Sequence, residues 1–453
     1  MAFQSTNPYN QQPLKTYRVD SPAAIERKLK LADRAFADWS GLTLAERVGY
    51  LRRVGDHLNA HKQSLGGLIT AEMGKTRHEA VAEVEKCAGG CTFYADHAES
   101  FLADQVIDTD AYKSFVTYQP LGPVLAIMPW NFPYWQVFRF AIPGLLAGNV
   151  GLLKHAPNVF GCALAIEDVF RQCGLPDGVF QSLLIDVSPV ESLLKDWRVK
   201  AVTLTGSGRA GSSVASIAGR EIKKSVLELG GSDALIVLAD ADLERAAETA
   251  VKSRMQNAGQ SCIAAKRFIV EKSVKKQFTE LILHHIEQIR QGDPMDDATT
   301  MGPMARLDLA DTIERQCHES VGKGAKLLTG VVSRFGCNVQ PMLLDKVKPG
   351  MAVFDEETFG PMAALIEAKD EADAIRLANQ SDFGLGSALW TRDLDRADRL
   401  ARQIQAGSVF VNGLMRSDAR VPFGGIKNSG FGRELSEIGM KEFVNVKTVW
   451  MER

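Results

Sequence analysis

Apolar residues recur every three or four positions through the first hundred residues. ERKLKLADRAFADW and AERVGYLRRVGDHLNAH carry this spacing, which predicts amphipathic helices over most of residues 21–105. From about residue 112 the period changes. Short runs rich in apolar and branched residues (VLAIM, VGLLK, VFQSLLI, VKAVTLTG) are each followed by a Gly-, Pro- or polar-rich turn and a helical stretch, and KSVLELGG and DALIVLA continue the series. Such runs suit strands buried on both faces, so the repeated strand–turn–helix pattern predicts a parallel sheet covered by helices. A second alternation starts near residue 241, with DLERAAETAVKSRMQ and VKKQFTELILHHIEQI as helices around the strand KRFIV. MAALIEA, GSALW and GSVFVN follow as strands, separated by helices near 370–379 and 393–405. The pattern thus predicts two α/β domains joined close to Gly230 and Gly231. KSFVTYQPLGPV reads as a protruding hairpin and KEFVNVKTVWMER as a terminal strand. A terminal strand needs a partner, so the two pieces are expected to form a small assembly sheet.

Composition narrows the function classes. Lys and Arg number 53 and Asp and Glu 55 in 453 residues, a balance that gives no electrostatic reason to expect nucleic acid or an anionic membrane as partner. The polar start MAFQSTNPYNQQPL lacks the apolar core of a signal peptide. FAIPGLLAGNVGLL is too short and too broken by Pro and Gly to span a bilayer. Seven cysteines at irregular spacing fit reduced thiols, and a cytoplasmic location is expected. Cys87 and Cys91 form C-x₃-C with no second pair nearby, so no metal site is expected.

Four stretches carry candidate chemistry. TGSGRAG (Thr205–Gly211) follows a strand and opens a helix, with Gly206, Gly208 and Gly211 in a G-x-G-x-x-G pattern. Free N–H groups and the helix dipole at such a turn suit a phosphate, although an ordinary Gly-rich turn has the same look. Glu228 in LELGG falls close to the spacing of a ribose-binding acid, and it equally suits a catalytic base. In PWNFPYWQVFR two prolines bracket Asn131, which suits either a rigidly held amide donor or a structural Asx turn. NAGQSCIAAKRFIV places Cys262 behind small and polar residues, as an approachable nucleophile or a buried inert thiol.

These stretches occur in one order with LLKHAPN, EETFGP and PFGGIKNSGFGRE. Together they resemble the aldehyde dehydrogenase superfamily over essentially the whole chain, and most closely its short bacterial succinate-semialdehyde dehydrogenase type. The resemblance implies a Rossmann-like dinucleotide-binding domain (1–110 and 123–229), a second α/β catalytic domain (230–430) and a β oligomerisation arm (111–122 and 431–453). It implies Cys262 as nucleophile, Asn131 as oxyanion donor beside the Cys262 N–H, and Glu228 as the base for hydrolysis, since the family holds the adenosine ribose elsewhere. Trp130, Lys154, Gly206, Ser207, Gly211, Glu357 and Phe359 match cofactor positions. The reaction so implied runs through a thiohemiacetal and a thioester, with hydride passing to a nicotinamide and no metal.

Arg139 lies eight positions after Asn131, two helical turns on, where it would pair with a substrate carboxylate or serve in a structural salt bridge. Arg416, Ser417 and Arg420 are further candidate donors. In the family a Glu three residues after the ribose lysine often repels a 2′-phosphate; here Pro157 stands there, so NAD is expected as the preferred cofactor with NADP possible. The expected reaction is oxidation of succinate semialdehyde by a homodimer or homotetramer. The alternatives are glutarate semialdehyde or a neutral aliphatic or aromatic aldehyde as substrate. A coenzyme A-acylating enzyme is disfavoured by Glu228, and a catalytically silent binding protein by the intact Cys262, Glu228 and Asn131.

Overall fold

The computed structural model describes residues 2–330 and 334–453. Three helices lead in: Pro22–Gly41, Leu44–Met73 and Arg77–Leu102. The second and third each open on a reciprocal cap, Thr43 with Glu46 and Thr76 with Glu79, which satisfies otherwise unpaired first-turn N–H groups. Gly74 at φ 85° closes the second helix in the left-handed conformation that glycine adopts at little cost.

The chain then builds a six-stranded sheet. Its spatial order is Gly430–Phe431, Lys224–Glu228, Ala201–Thr205, Pro123–Met128, Val150–His155, Phe180–Ser182. The five strands from 224–228 to 180–182 are all parallel to their neighbours in that run, and only 430–431 is antiparallel. Counted along the chain, the parallel strands lie in the order fifth, fourth, first, second, third. Strand order therefore reverses between 123–128 and 201–205, and that crevice is where open α/β sheets bind ligands. Every residue of strand 201–205 is buried, and each fully buried Val or Leu contributes roughly 1.5–3 kcal/mol.

A second, seven-stranded sheet follows, in the order Lys326–Thr329, Met342–Asp345, Met362–Ala368, Ala265–Glu271, Asp233–Val237, Gly386–Trp390, Ser408–Val411. All neighbours are parallel except the first pair. Each sheet has its own apolar core. The chain leaves the first sheet at Glu228 and enters the second at Asp233, so Gly230 and Gly231 lie in the crossing segment.

The third sheet pairs Lys113–Pro120 with Val444–Met451 on one side and Gln105–Val106 on the other, all antiparallel. KSFVTYQPLGPV is therefore not a hairpin. Its second half turns into strand 123–128 of the first sheet, because Leu121 and Gly122 both donate their N–H to Asn149 Oδ1, at 2.9 and 3.0 Å. Phe431, expected in the arm, sits in the first sheet beside Leu227. No helix among the described residues is long and apolar enough to cross a membrane.

Candidate active site

The expected residues gather where the two larger sheets meet. Trp130 and Asn131 follow strand 123–128, Lys154 is the last residue but one of strand 150–155, the turn from Gly206 follows strand 201–205, and Glu228 ends strand 224–228. From the second sheet, Cys262 lies just before strand 265–271, and Glu357 and Phe359 just before strand 362–368. Carboxyl ends of one sheet thus face amino ends of the other. Contacts join them: Trp130 and Phe359 meet edge to face at 5.8 Å, and Asn131 Nδ2 donates to the Gln260 carbonyl at 3.1 Å.

The Cys262 segment is held through its backbone. Asn257 and Ala258 take positive φ, 55° and 50°, strained for residues with a Cβ. Asn257 Nδ2 donates to the Asn131 carbonyl at 2.8 Å, and its N–H to Glu79 at 2.7 Å. Arg254, buried, donates to the carbonyls of Gly259, Thr358 and Gly360. Lys266 donates to the carbonyls of Ser261 and Cys262 at 3.0 and 2.6 Å. Burial pushes the Cys262 thiol up to about 12, against the pull of Arg139 and Lys266. The thiol is therefore protonated at neutral pH in this state, so a nucleophilic role requires it to lose its proton first.

Asn131 is buried, and its Oδ1 has no hydrogen-bond partner among the described residues. His155 braces the same turn, with ring nitrogens 3.2 and 2.9 Å from the carbonyls of Met128 and Pro133. Burial pushes its pKa down to about 4, so it stays neutral. Glu83, ion-paired with Lys75, accepts the N–H groups of Tyr134 and Trp135 at 2.8 and 3.0 Å and so caps the helix Trp135–Leu146 that carries Arg139.

Glu228 is not among the residues lining the Cys262 cavity. Its carboxylate is buried without a hydrogen-bond partner among the described residues, and burial, then Glu434, raises its pKa well above normal. Arg139 is ion-paired with Glu434, donates to Thr205 Oγ1 at 3.1 Å and lies over the Phe423 ring at 4.8 Å. The structural salt bridge considered from sequence thus exists, although Arg139 also reaches the cavity wall.

That cavity holds about 150 Å³. Lys86, Arg139 and Arg416 are its charged lining residues among those described, and no carboxylate lines it. Ser417 also lines it, whereas Arg420 lies outside, 2.6 Å from Asp418. Lys86 was not singled out from sequence. It lies on the helix Arg77–Leu102, far from every motif, and only its place in KCAGGC, beside a run of small residues, hinted at a packed helix face.

A dinucleotide fits the crevice. Ser207 caps the helix Gly208–Arg220, its Oγ accepting the Ala210 N–H at 3.3 Å. A Cβ built on Gly208 would meet no atom within 4 Å, so open space lies at this helix N-terminus. At Gly211 a Cβ would sit 2.6 Å from Leu229, so glycine lets the helix close onto the segment after strand 224–228. Lys154 stands buried at the next strand end, its pKa lowered by burial. Glu357 accepts the Gly231 N–H at 3.0 Å and lies 3.4 Å from Lys266.

The family model for the aldehyde dehydrogenase family matches residues 1–449. The chain is 49% identical over 453 residues to a probable succinate-semialdehyde dehydrogenase [NADP(+)] of Synechocystis sp., covering all of both chains. It is 46% identical over 451 residues to a succinate semialdehyde dehydrogenase [NAD(P)+] of Escherichia coli, covering 99% of this chain and 98% of that one. The solved succinic semialdehyde dehydrogenase from Streptococcus pyogenes, in complex with NADP+, superposes with a TM-score of 0.97 at 34% identity over the full length of both. On its fold, its ordered motifs and these full-length likenesses, the chain belongs to the aldehyde dehydrogenase family.

Proposed function

We propose that this enzyme oxidises succinate semialdehyde to succinate with a nicotinamide dinucleotide. The carrying observation is the Cys262 cavity: it is small and, among the described residues, lined by three cationic side chains and by no carboxylate. A short aldehyde that itself bears a carboxylate suits that wall better than a neutral aldehyde. The names of the full-length relatives agree.

Cys262 Sγ attacks the aldehyde carbon once its proton has left. Asn131 Nδ2 and the Cys262 N–H stabilise the oxyanion that forms. Lys154, the Gly206–Gly211 turn, Trp130, Glu357 and Phe359 would hold the dinucleotide, which would supply the hydride acceptor. Cys262 then carries the acyl group as a thioester. Glu228, once turned from Glu434 towards the cavity and ionised there, takes a proton from the water that releases the acid.

NADP is the dinucleotide we assign. The relatives' names give the expected NAD preference no support, and Pro157 offers no negative charge to repel a 2′-phosphate. Self-association and a cytoplasmic location belong to the same reading. The arm sheet exposes Val106, Val446 and Trp450, and Cys87, Cys91, Cys162, Cys173, Cys262 and Cys317 are free thiols. The test is steady-state formation of reduced nicotinamide from succinate semialdehyde, glutarate semialdehyde and butanal with NADP and NAD. Highest kcat/KM for succinate semialdehyde with NADP is expected; equal values for butanal would refute the substrate reading.

A further inference from the structure

Three cations line the Cys262 cavity, and they differ in what already holds their charge. Arg139 is paired with the buried Glu434 and bonded to Thr205. Arg416 is 64% exposed and lies 4.0 Å from Asp418. The ammonium of Lys86 touches two uncharged groups: it donates to Ser417 Oγ at 2.7 Å and lies 4.3 Å from the centre of the Trp135 ring. Ser417 Oγ also accepts from Trp135 Nε1 at 2.9 Å. A hydroxyl has two acceptor sites and one proton, so both acceptor sites are filled and the proton must point elsewhere. The Lys86 ammonium keeps two further N–H donors.

Position adds to chemistry. Lys86, Phe132, Trp135 and Gln256 line both the Cys262 cavity and an outer one of about 450 Å³, so the two cavities abut at these side chains. A molecule passing from the outer cavity to the thiol passes Lys86.

The geometry points to Lys86 as a specificity-determining residue that receives the substrate carboxylate at Nζ, with the Ser417 hydroxyl as the second donor. This inference rests on the substrate reading above. Burial and the neighbouring Arg139 push the free ammonium down to about 8, while Cys87, Glu83 and Asp418 oppose the shift. A carboxylate arriving from the cavity side supplies the direct ion-pair partner that, among the described residues, this ammonium does not have. Ser417 holds the lysine side chain towards the cavity before substrate arrives.

The test compares kcat/KM for succinate semialdehyde and for butanal in the parent, Lys86→Met, Lys86→Gln and Lys86→Arg, each checked for an unaltered melting curve. The ratio of the two kcat/KM values should fall by about 30-fold or more in Met and Gln. The loss should lie mainly in KM for the charged aldehyde, and Lys86→Arg should restore part of it. A parent that prefers the charged aldehyde, with Met and Gln variants that keep the preference or lose both aldehydes equally, would overturn the role of Lys86 alone. A parent without the preference would overturn the substrate reading, and the role of Lys86 with it.

Discussion

Replacing Arg139 by Met takes away the cation that is ion-paired with Glu434 among the described residues; Glu434 is 5% exposed and lies beside the equally enclosed Glu228. Removing one partner of a buried ion pair costs about 3–5 kcal/mol, because the remaining charge is left without compensation. Loss of the contact with the Phe423 ring acts in the same direction. For a unit of 150–250 residues each kcal/mol lowers the melting temperature by about 2–4 °C, so a drop of roughly 6–20 °C is expected. Scanning calorimetry on the parent, Arg139→Met and Arg139→Met/Glu434→Gln measures it. The double variant removes the orphaned carboxylate and should recover most of the loss. An unchanged melting temperature in the single variant, or no recovery in the double one, would refute the structural part of the argument. The double variant also separates two roles. If Arg139 contributes to carboxylate binding as well, stability returns while KM for the charged aldehyde stays high.

Asn131→Ala should lower kcat about 10²–10³-fold, measured by reduced-nicotinamide absorbance, with an unaltered melting curve. Glu228→Gln should give one rapid equivalent of reduced nicotinamide per subunit and then stall, with the acyl adduct on Cys262 visible by intact-mass spectrometry; steady parental turnover would exclude Glu228 as the base. The Cys262 thiol sits near 12, so its reactive thiolate is the minor form at neutral pH. Its alkylation by iodoacetamide in dinucleotide-free enzyme should therefore rise about tenfold per pH unit from 7 to 9. A plateau in that range would show a thiol already ionised.

Most strands of both large sheets were legible because buried parallel strands are continuous apolar runs, as in VLAIM and DALIVLA, whereas the short strands Lys326–Thr329, Met342–Asp345 and Gly430–Phe431 were not. The change of sheet near Gly230 and Gly231 was legible for the same reason. The opening hairpin of Ala2–Thr6 and Pro13–Arg18 was not, since its strands are polar and largely exposed. At the site, residues within motifs could be named, and the partners that decide their behaviour could not. Glu434 stands in the quoted stretch ending GRE, yet nothing local says that it neutralises Arg139 from 295 positions away. Lys86 is a helix lysine of unremarked spacing, and only the approach of the loop carrying Ser417 gives it a task. The Cys262 thiol, read as approachable from its small neighbours, does line a cavity and is only half-buried, but its desolvation, which keeps it protonated, could not be read locally.

The short strand Gly430–Phe431 returns the chain to its first sheet after the second is complete, and Glu434 follows at once. Asn149 is then tied to the Phe443 carbonyl at 3.0 Å, and the strand Val444–Met451 closes the arm. During synthesis the earlier strands of that sheet, Pro123 to Glu228, leave the ribosome about two to three hundred residues before Glu434, the piece that balances Arg139. Nascent chains stopped ahead of residue 430 would hold a bare guanidinium against the unfinished crevice, so catalytic competence has to wait for the last part of the chain to emerge.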